Sequence, residues 1–255
     1  MGEFMYWYIR KLYYQFLFLF RKDFKVYRRG GLKLLLDAQS NVDRSIIRKE
    51  YWEKEQMHYL LSTATDILDA DVAQNVFIDI GSYLGWYSFN AWKTGAFGSI
   101  NAFEADPYNF AKLNMNIHLN DAEEQVKVFN VAVSDTSGSI NYRRSITDPN
   151  NRGRSGVDLD GKLDTSLECV KLDDVLEIKD SIIIVKIDVE GHELNVLNGM
   201  LKLLKLNRAF LQVEIFPNVL LEVKDLMEEN GYEHVNSIDH DHYFSNDKRV
   251  QKIAL

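Results

Sequence analysis

The stretch FIDIGSYLGWYS, residues 77 to 88, constrains this chain more than any other. An apolar run ends at Asp79, and Gly81 and Gly85 follow at a four-residue spacing. A strand that feeds a glycine turn and then a helix brings the backbone of an α/β sheet close to a nucleotide-like ligand. The plain alternative is a tight strand-to-helix connection with no guest. The spacing is not the dinucleotide pattern G-x-G-x-x-G, because Tyr83 stands inside the turn and a third glycine is missing. A pyrophosphate, and with it a dinucleotide oxidoreductase, is disfavoured.

Asp79 leads the turn, which suits a ligand with positive charge or hydroxyls. S-adenosylmethionine has an ammonium, a carboxylate and a sulfonium but no phosphate, and it fits Asp79, Gly81, Ser82 and Gly85. One strand later, SINAFEADPYNF puts Glu104 at the end of an apolar run. An acidic side chain there accepts from two ribose hydroxyls in doubly wound sheets. Otherwise Glu104 is an exposed carboxylate before a helix that Asp106 and Pro107 begin.

The third stretch is SIIIVKIDVEGHELNVLNG, residues 181 to 199. Ile182 to Ile187, broken only by Lys186, reads as a strand buried on both faces. Asp188, Glu190, His192 and Glu193 crowd its C-terminal end, the edge of an open α/β sheet where ligands sit.

FIDIGSYLGWYS, AFEADPYNFAKLNMNIHLN, FNVAVSDTSGSI, VKLDDVL, VKIDVEGHELNVLNG and LQVEIFP, taken in order, resemble the FkbM family of S-adenosylmethionine-dependent methyltransferases. The resemblance covers about residues 75 to 216. The family usually has Asn at the position of Tyr83 and Pro at that of Ala105. The resemblance implies a Rossmann-like class I methyltransferase fold, an α/β architecture with a mostly parallel seven-stranded sheet and a C-terminal antiparallel hairpin. It also implies S-adenosylmethionine as cofactor, with adenine near Ala132 and Ser134 or Asp135 accepting from its exocyclic amine. The reaction it implies is O-methylation, commonly of hydroxyls on sugars, sugar-like compounds or polyketides.

Methyl transfer from a sulfonium is an in-line displacement that requires donor and acceptor held close and a group to take the hydroxyl proton. Asp188 is the first choice for that group. Glu190 and Glu193 are candidates to share the role or to hold a divalent ion, since oxygen ligands suit magnesium and calcium. His192 is either a base or a helix cap, and Glu193 suits a first helical turn in any case. Glu214 is a candidate wall of the acceptor site, and Lys186 a structural partner for one of these acids. The competing class is a non-enzymatic S-adenosylmethionine or nucleotide-binding module, against which the intact acid cluster argues.

With 255 residues, 46% of them apolar, the chain suits one α/β domain with an appendage. The opening MGEF reads as an expression scar. Residues 1 to 40 form a basic aromatic arm, and residues 41 to 255 the methyltransferase domain with an insertion near 137–174. Residues 1 to 36 hold eight Lys or Arg against two acids, +6, which leaves −14 on the rest of a chain of net charge −8. An acidic body of that kind repels nucleic acid. The arm, through residues 5–29, suits an interfacial helix on anionic lipid, which would favour a lipid-linked glycan acceptor; the alternative is a helix packed on the body or on a second subunit of a homo-oligomer. The single Cys169 fits a buried thiol in a reducing, cytoplasmic compartment. Helical spacing from Asp43 to Asp66 predicts one helix over the sheet. Strands are expected near 75–80, 99–104, 127–133, 182–187 and 209–215, with helices near 86–94, 107–119, 192–205 and 218–230. In the insertion, Arg152 and Arg154 are either acceptor-phosphate contacts or solvated charges.

Overall fold

The chain first reverses direction at Gly30 and Gly31, whose φ angles are 56° and 83°. A two-residue turn of that handedness matches the twist of an antiparallel hairpin. It joins β1 (Phe24–Arg29) to β2 (Leu32–Asp37), with Arg29 opposite Leu32. The computed structural model describes residues 24–143, 156–157 and 166–250. Residues 5–23 of the expected arm, together with Arg152 and Arg154, lie outside the described residues. For residues 24–29 the helical expectation is corrected to a strand. The glycine pair supplies β2 as a partner, and the backbone groups of β1 that face β2 pair across the hairpin.

The single helix expected from Asp43 to Asp66 is two, Asn41–Lys49 and Lys54–Ile67. Between them Glu50 and Glu53 take left-handed φ values of 68° and 45°, which no continuous helix accommodates. The described residues fall into two compact units, one ending at Glu53 and the other starting at Lys54. In the first, Leu32, Leu34 and Leu36 of β2 and Ile46 and Ile47 of the helix are buried. Ser40 caps that helix, its hydroxyl accepting from the Asp43 amide at 3.4 Å.

The second unit alternates strand and helix. β3 (Asn75–Ile80) leads through the helix Trp86–Thr94 to β4 (Ser99–Phe103), and the helix Pro107–Leu119 leads to β5 (Val126–Phe129). Four short strands follow: β6 (Ala132–Val133), β7 (Gly138–Arg143), β8 (Gly156–Val157) and β9 (Ser166–Val170). Next come β10 (Ile182–Ile187), the helices Glu193–Asn198 and Leu201–Lys205, β11 (Arg208–Glu214), the helix Leu220–Glu229, and the hairpin β12 (Glu233–Ile238) and β13 (Asp241–Ser245). The main sheet runs β12-β13-β11-β10-β3-β4-β5. Its strands from β11 to β5 are parallel, and β13 enters antiparallel to β11. This is the mostly parallel seven-stranded α/β sheet with a terminal hairpin. All six residues of β10 are buried, as a central parallel strand covered on both faces requires.

Two element boundaries differ from expectation. The strand expected over 127–133 breaks after β5, because the Asn130 side-chain amide donates to the Glu104 and Ala105 carbonyls at 2.8 and 3.1 Å. β6 then joins a separate sheet of order β6-β9-β7-β8. The helix expected over 192–205 is interrupted at Gly199, which lies so close to β6 that a Cβ there would be 1.9 Å from the Ser134 carbonyl oxygen. Among the described residues no helix is long and apolar enough to cross a membrane.

Candidate functional site

From β3 the chain moves outward to β4 and β5 on one side, and later lays β10 and β11 on the other. The carboxyl ends of β3 and β10 therefore flank the topological switch point, where open α/β sheets bind ligands. The two ends touch through backbone. The Asp188 amide donates to the Ile80 carbonyl at 3.0 Å, and a Cβ on Gly81 would fall 1.8 Å from the Asp188 carbonyl oxygen. Position 81 needs glycine for this strand-to-strand approach and for its φ of 81°.

Asp79, 2% exposed, turns into the sheet edge. Its Oδ2 accepts from the Ser88 amide at 3.0 Å and from the Ser88 hydroxyl at 2.5 Å. The helix Trp86–Thr94 begins at Gly85, which has no side chain to cap it. Asp79 supplies the missing cap from the preceding strand, and its charge suits the helix N-terminus. Burial nevertheless pushes its carboxyl up to about 6, against the pull of the Ser88 bonds. Ser82 pins the turn to β4, its hydroxyl 2.9 Å from the Phe103 carbonyl oxygen and its amide donating there at 3.0 Å. Gly85 packs against Leu113 and Phe89, and a Cβ there would meet Leu113 at 2.7 Å.

Glu104 ends β4 beside the same turn and is 6% exposed. One carboxyl oxygen accepts from the Tyr83 amide at 2.7 Å and the other from the Asp106 amide at 2.8 Å. Burial outweighs these bonds and pushes the group up to about 7. Tyr83 holds a left-handed φ of 52°, a conformation that Asn tolerates and Tyr rarely adopts. Its ring lies 3.9 Å from the Nζ of the buried Lys112.

On the other flank, Ala132 pairs with Cys169 in register and is buried. The Ser134 hydroxyl is 3.1 Å from Asp135 Oδ1 and 2.9 Å from His192 Nε2. The structure thus joins His192 to the third-strand residues Ser134 and Asp135. Burial holds the imidazole below its ordinary range. Glu193 accepts from the Gly191 amide at 2.8 Å, and burial raises its carboxyl. His192 Nδ1 and Glu193 Oε2 are buried with no hydrogen-bond partner among the described residues. Glu190 is half-buried in a left-handed turn, φ 54°. Among the described residues no group of three or more His, Cys, Asp or Glu is arranged to hold a metal ion.

The sequence does not show a second layer of polar residues that strand register assembles. Asp79, Lys186 and Gln212 stand opposite one another on β3, β10 and β11. Lys186 pairs with Asp241 at 2.8 Å, both buried. Gln212 donates to the same Asp241 oxygen at 2.7 Å and lies 2.8 Å from the Tyr87 hydroxyl. At the strand ends, Glu214 lies beside Asp188, one position past the paired Val213 and Ile187, and burial, with that acidic neighbour, pushes it up to about 9. Glu214, expected as a wall residue, is thus the immediate partner of Asp188.

Residues 73–234, most of the chain, match the methyltransferase FkbM domain. The chain belongs to the FkbM methyltransferase family. That domain is an S-adenosylmethionine-dependent methyltransferase domain, and S-adenosylmethionine is the cofactor the family implies. The chain is also similar to solved structures. Methyltransferase FkbM from Methylobacillus flagellatus KT is 16% identical with a TM-score of 0.45, over 74% of this chain and 50% of that one. The chain thus spans about half the length of that relative. Human methyltransferase 10 domain containing protein is 14% identical with a TM-score of 0.51, over 86% and 89%. The METTL16 MTase domain is 14% identical with a TM-score of 0.48, over 84% and 72%. No curated protein of similar sequence was found. The residues present suit the implied cofactor. Carboxyls at the ends of β3 and β4 flank the glycine turn, and the orphaned His192 Nδ1 is the kind of buried polar atom that a bound polar ligand completes.

Proposed function

We propose that the domain methylates a hydroxyl of a sugar or a lipid-linked glycan, with Asp188 receiving the hydroxyl proton. The observation that supports this best is the place of Asp188: it directly follows β10 at the switch point, backbone against the Gly81 turn, half-buried and beside Glu214. Bound S-adenosylmethionine would supply an electrophilic methyl group. We assign its binding to the Asp79–Gly85 turn, Glu104, Ala132, Ser134 and Asp135, while Glu190 and Glu193 face the acceptor side. A glycan fits better than a polyanion, since the chain beyond residue 36 carries a net charge of −14. The basic arm supports a lipid-linked form of it.

Labelled donor offered to free sugars, glycolipids, a polyketide panel and RNA tests this reading. Transfer should go to glycan hydroxyls and yield a methyl ether. Asp188→Asn should bind donor as the parent does and turn over about 10² to 10⁴ slower. Transfer to a polyketide alone would replace the substrate class. Donor binding without transfer to any acceptor would favour a binding module, and loss of turnover with a chelator would bring in a metal.

A further inference from the structure

Register puts three carboxyl groups in a row at the edge of the main sheet. Ile187 stands opposite Val213, so the next positions, Asp188 and Glu214, are neighbours across β10 and β11. On the far side Glu214 stands opposite Asp241 of β13. Parallel neighbours lie within about 5 Å, and like charges directly opposite are unfavourable. One relief is visible: Lys186 reaches Asp241 at 2.8 Å. Lys186 is also the cation that acts on Glu214, and it is already engaged by Asp241. The remaining two carboxyl groups stand side by side, with Glu214 between two acids, and sharing one proton relieves such repulsion. A carboxylate has only acceptors, so a hydrogen bond between the two requires a proton on one of them.

We propose that Asp188 and Glu214 work as a single proton-sharing pair, with Glu214 holding the proton and Asp188 presenting the basic oxygen. Glu214 is then a positioning residue that acts through Asp188. This rests on the methyl-transfer reading above and deepens it. In the reaction, the acceptor oxygen bonds to the methyl carbon, the carbon–sulfur bond breaks with its electron pair going to sulfur, and the hydroxyl proton passes to Asp188. The pair goes from one proton and one negative charge to two protons and none, and returns its extra proton to solvent. The groups facing it are Lys186 of β10, Asp241 of β13, Glu193 of the helix that follows β10, which acts on Asp188, and, against Lys186 and Asp188, Asp79 of β3. Burial and the neighbouring acid push Glu214 up to about 9, which is consistent with a retained proton at neutral pH. Two acids this close titrate as a unit.

The experiment is a carbon-13 carboxyl NMR titration of the full chain, with parent, Glu214→Gln and Asp188→Asn, and calorimetry of S-adenosylmethionine binding on each. In the parent the two signals should share two inflections, one of them above neutral pH. Glu214→Gln should abolish the upper inflection and leave Asp188 with a single one, while donor affinity stays within about threefold, since neither variant removes a cofactor contact. If Glu214→Gln fails to fold, Asp188→Asn makes the converse test, because it should return Glu214 to a single, lower inflection. Independent titration of both groups in the ordinary carboxylate range would overturn the proposal. Failure of the parent to bind S-adenosylmethionine would instead overturn the cofactor reading, and the titration would still decide the pair.

Discussion

At the scale of single residues, the Glu104 we assign to the ribose would link pH to cofactor binding. Its carboxyl is raised to about 7 by burial, above the unfolded value of about 4.5. The sign follows from proton binding: between those values the folded state holds a proton that the unfolded state has lost, so this group's contribution to stability falls as pH rises. Cofactor binding through the proposed ribose contact would run the other way, because an ionised carboxylate accepts from hydroxyls better than a protonated one. Affinity for S-adenosylmethionine should therefore weaken below about pH 7, approaching tenfold per unit, with the slope absent in Glu104→Gln. Calorimetry across that range checks it, and an equal slope in the variant would remove Glu104 from the ribose. The acidic identity of this position was legible because it ends an apolar run after a glycine turn. Its clasp on the Tyr83 and Asp106 amides was not, since it depends on the left-handed Tyr83 that no local rule favours.

At the scale of elements, short helices and close backbones set the frame of the site. The helices Glu193–Asn198 and Leu201–Lys205 are separate because Gly199 meets the Ser134 carbonyl where a Cβ would stand 1.9 Å away. Gly199→Ala must displace backbone, and we expect a loss of about 3 kcal/mol or more, with weaker cofactor binding because Ser134 and His192 move together. Gly98→Ala is the control. Its Cβ would meet nothing nearer than the Asn75 oxygen at 3.7 Å, so it should change stability by at most about 1 kcal/mol. Urea denaturation of both variants tests the contrast. Helical periodicity foresaw apolar faces over 192–205 but not the break, which arises from contact with a strand some sixty residues earlier in the chain.

At the scale of the whole second unit, the terminal hairpin completes a buried polar layer under the site. Lys186 is 2% exposed, and its partner Asp241 arrives from β13, the last strand of the sheet. Removing one member of a buried ion pair is strongly destabilising, so Asp241→Asn should cost about 3 to 5 kcal/mol. Lys186→Met combined with Asp241→Asn should recover part of that loss. Denaturation midpoints of the two single variants and the double form the cycle, and simple additivity would show that the pair is not coupled in the fold.

What the sequence determined by itself was the class of the molecule: strand, glycine turn and helix, repeated β-α alternation, and acids placed at strand ends are local patterns, carried by periods of two and 3.6 residues and by glycine chemistry. These patterns sufficed for the parallel sheet, the switch-point turn and the candidacy of Asp79, Glu104 and Asp188. Tertiary structure decided which polar groups became neighbours. Asp79 caps Ser88, His192 joins Ser134, Lys186 pairs with Asp241 and Asp188 with Glu214. Most of these partners lie far apart in the chain and meet only through strand order and register, which depend on how the whole sheet buries its apolar faces.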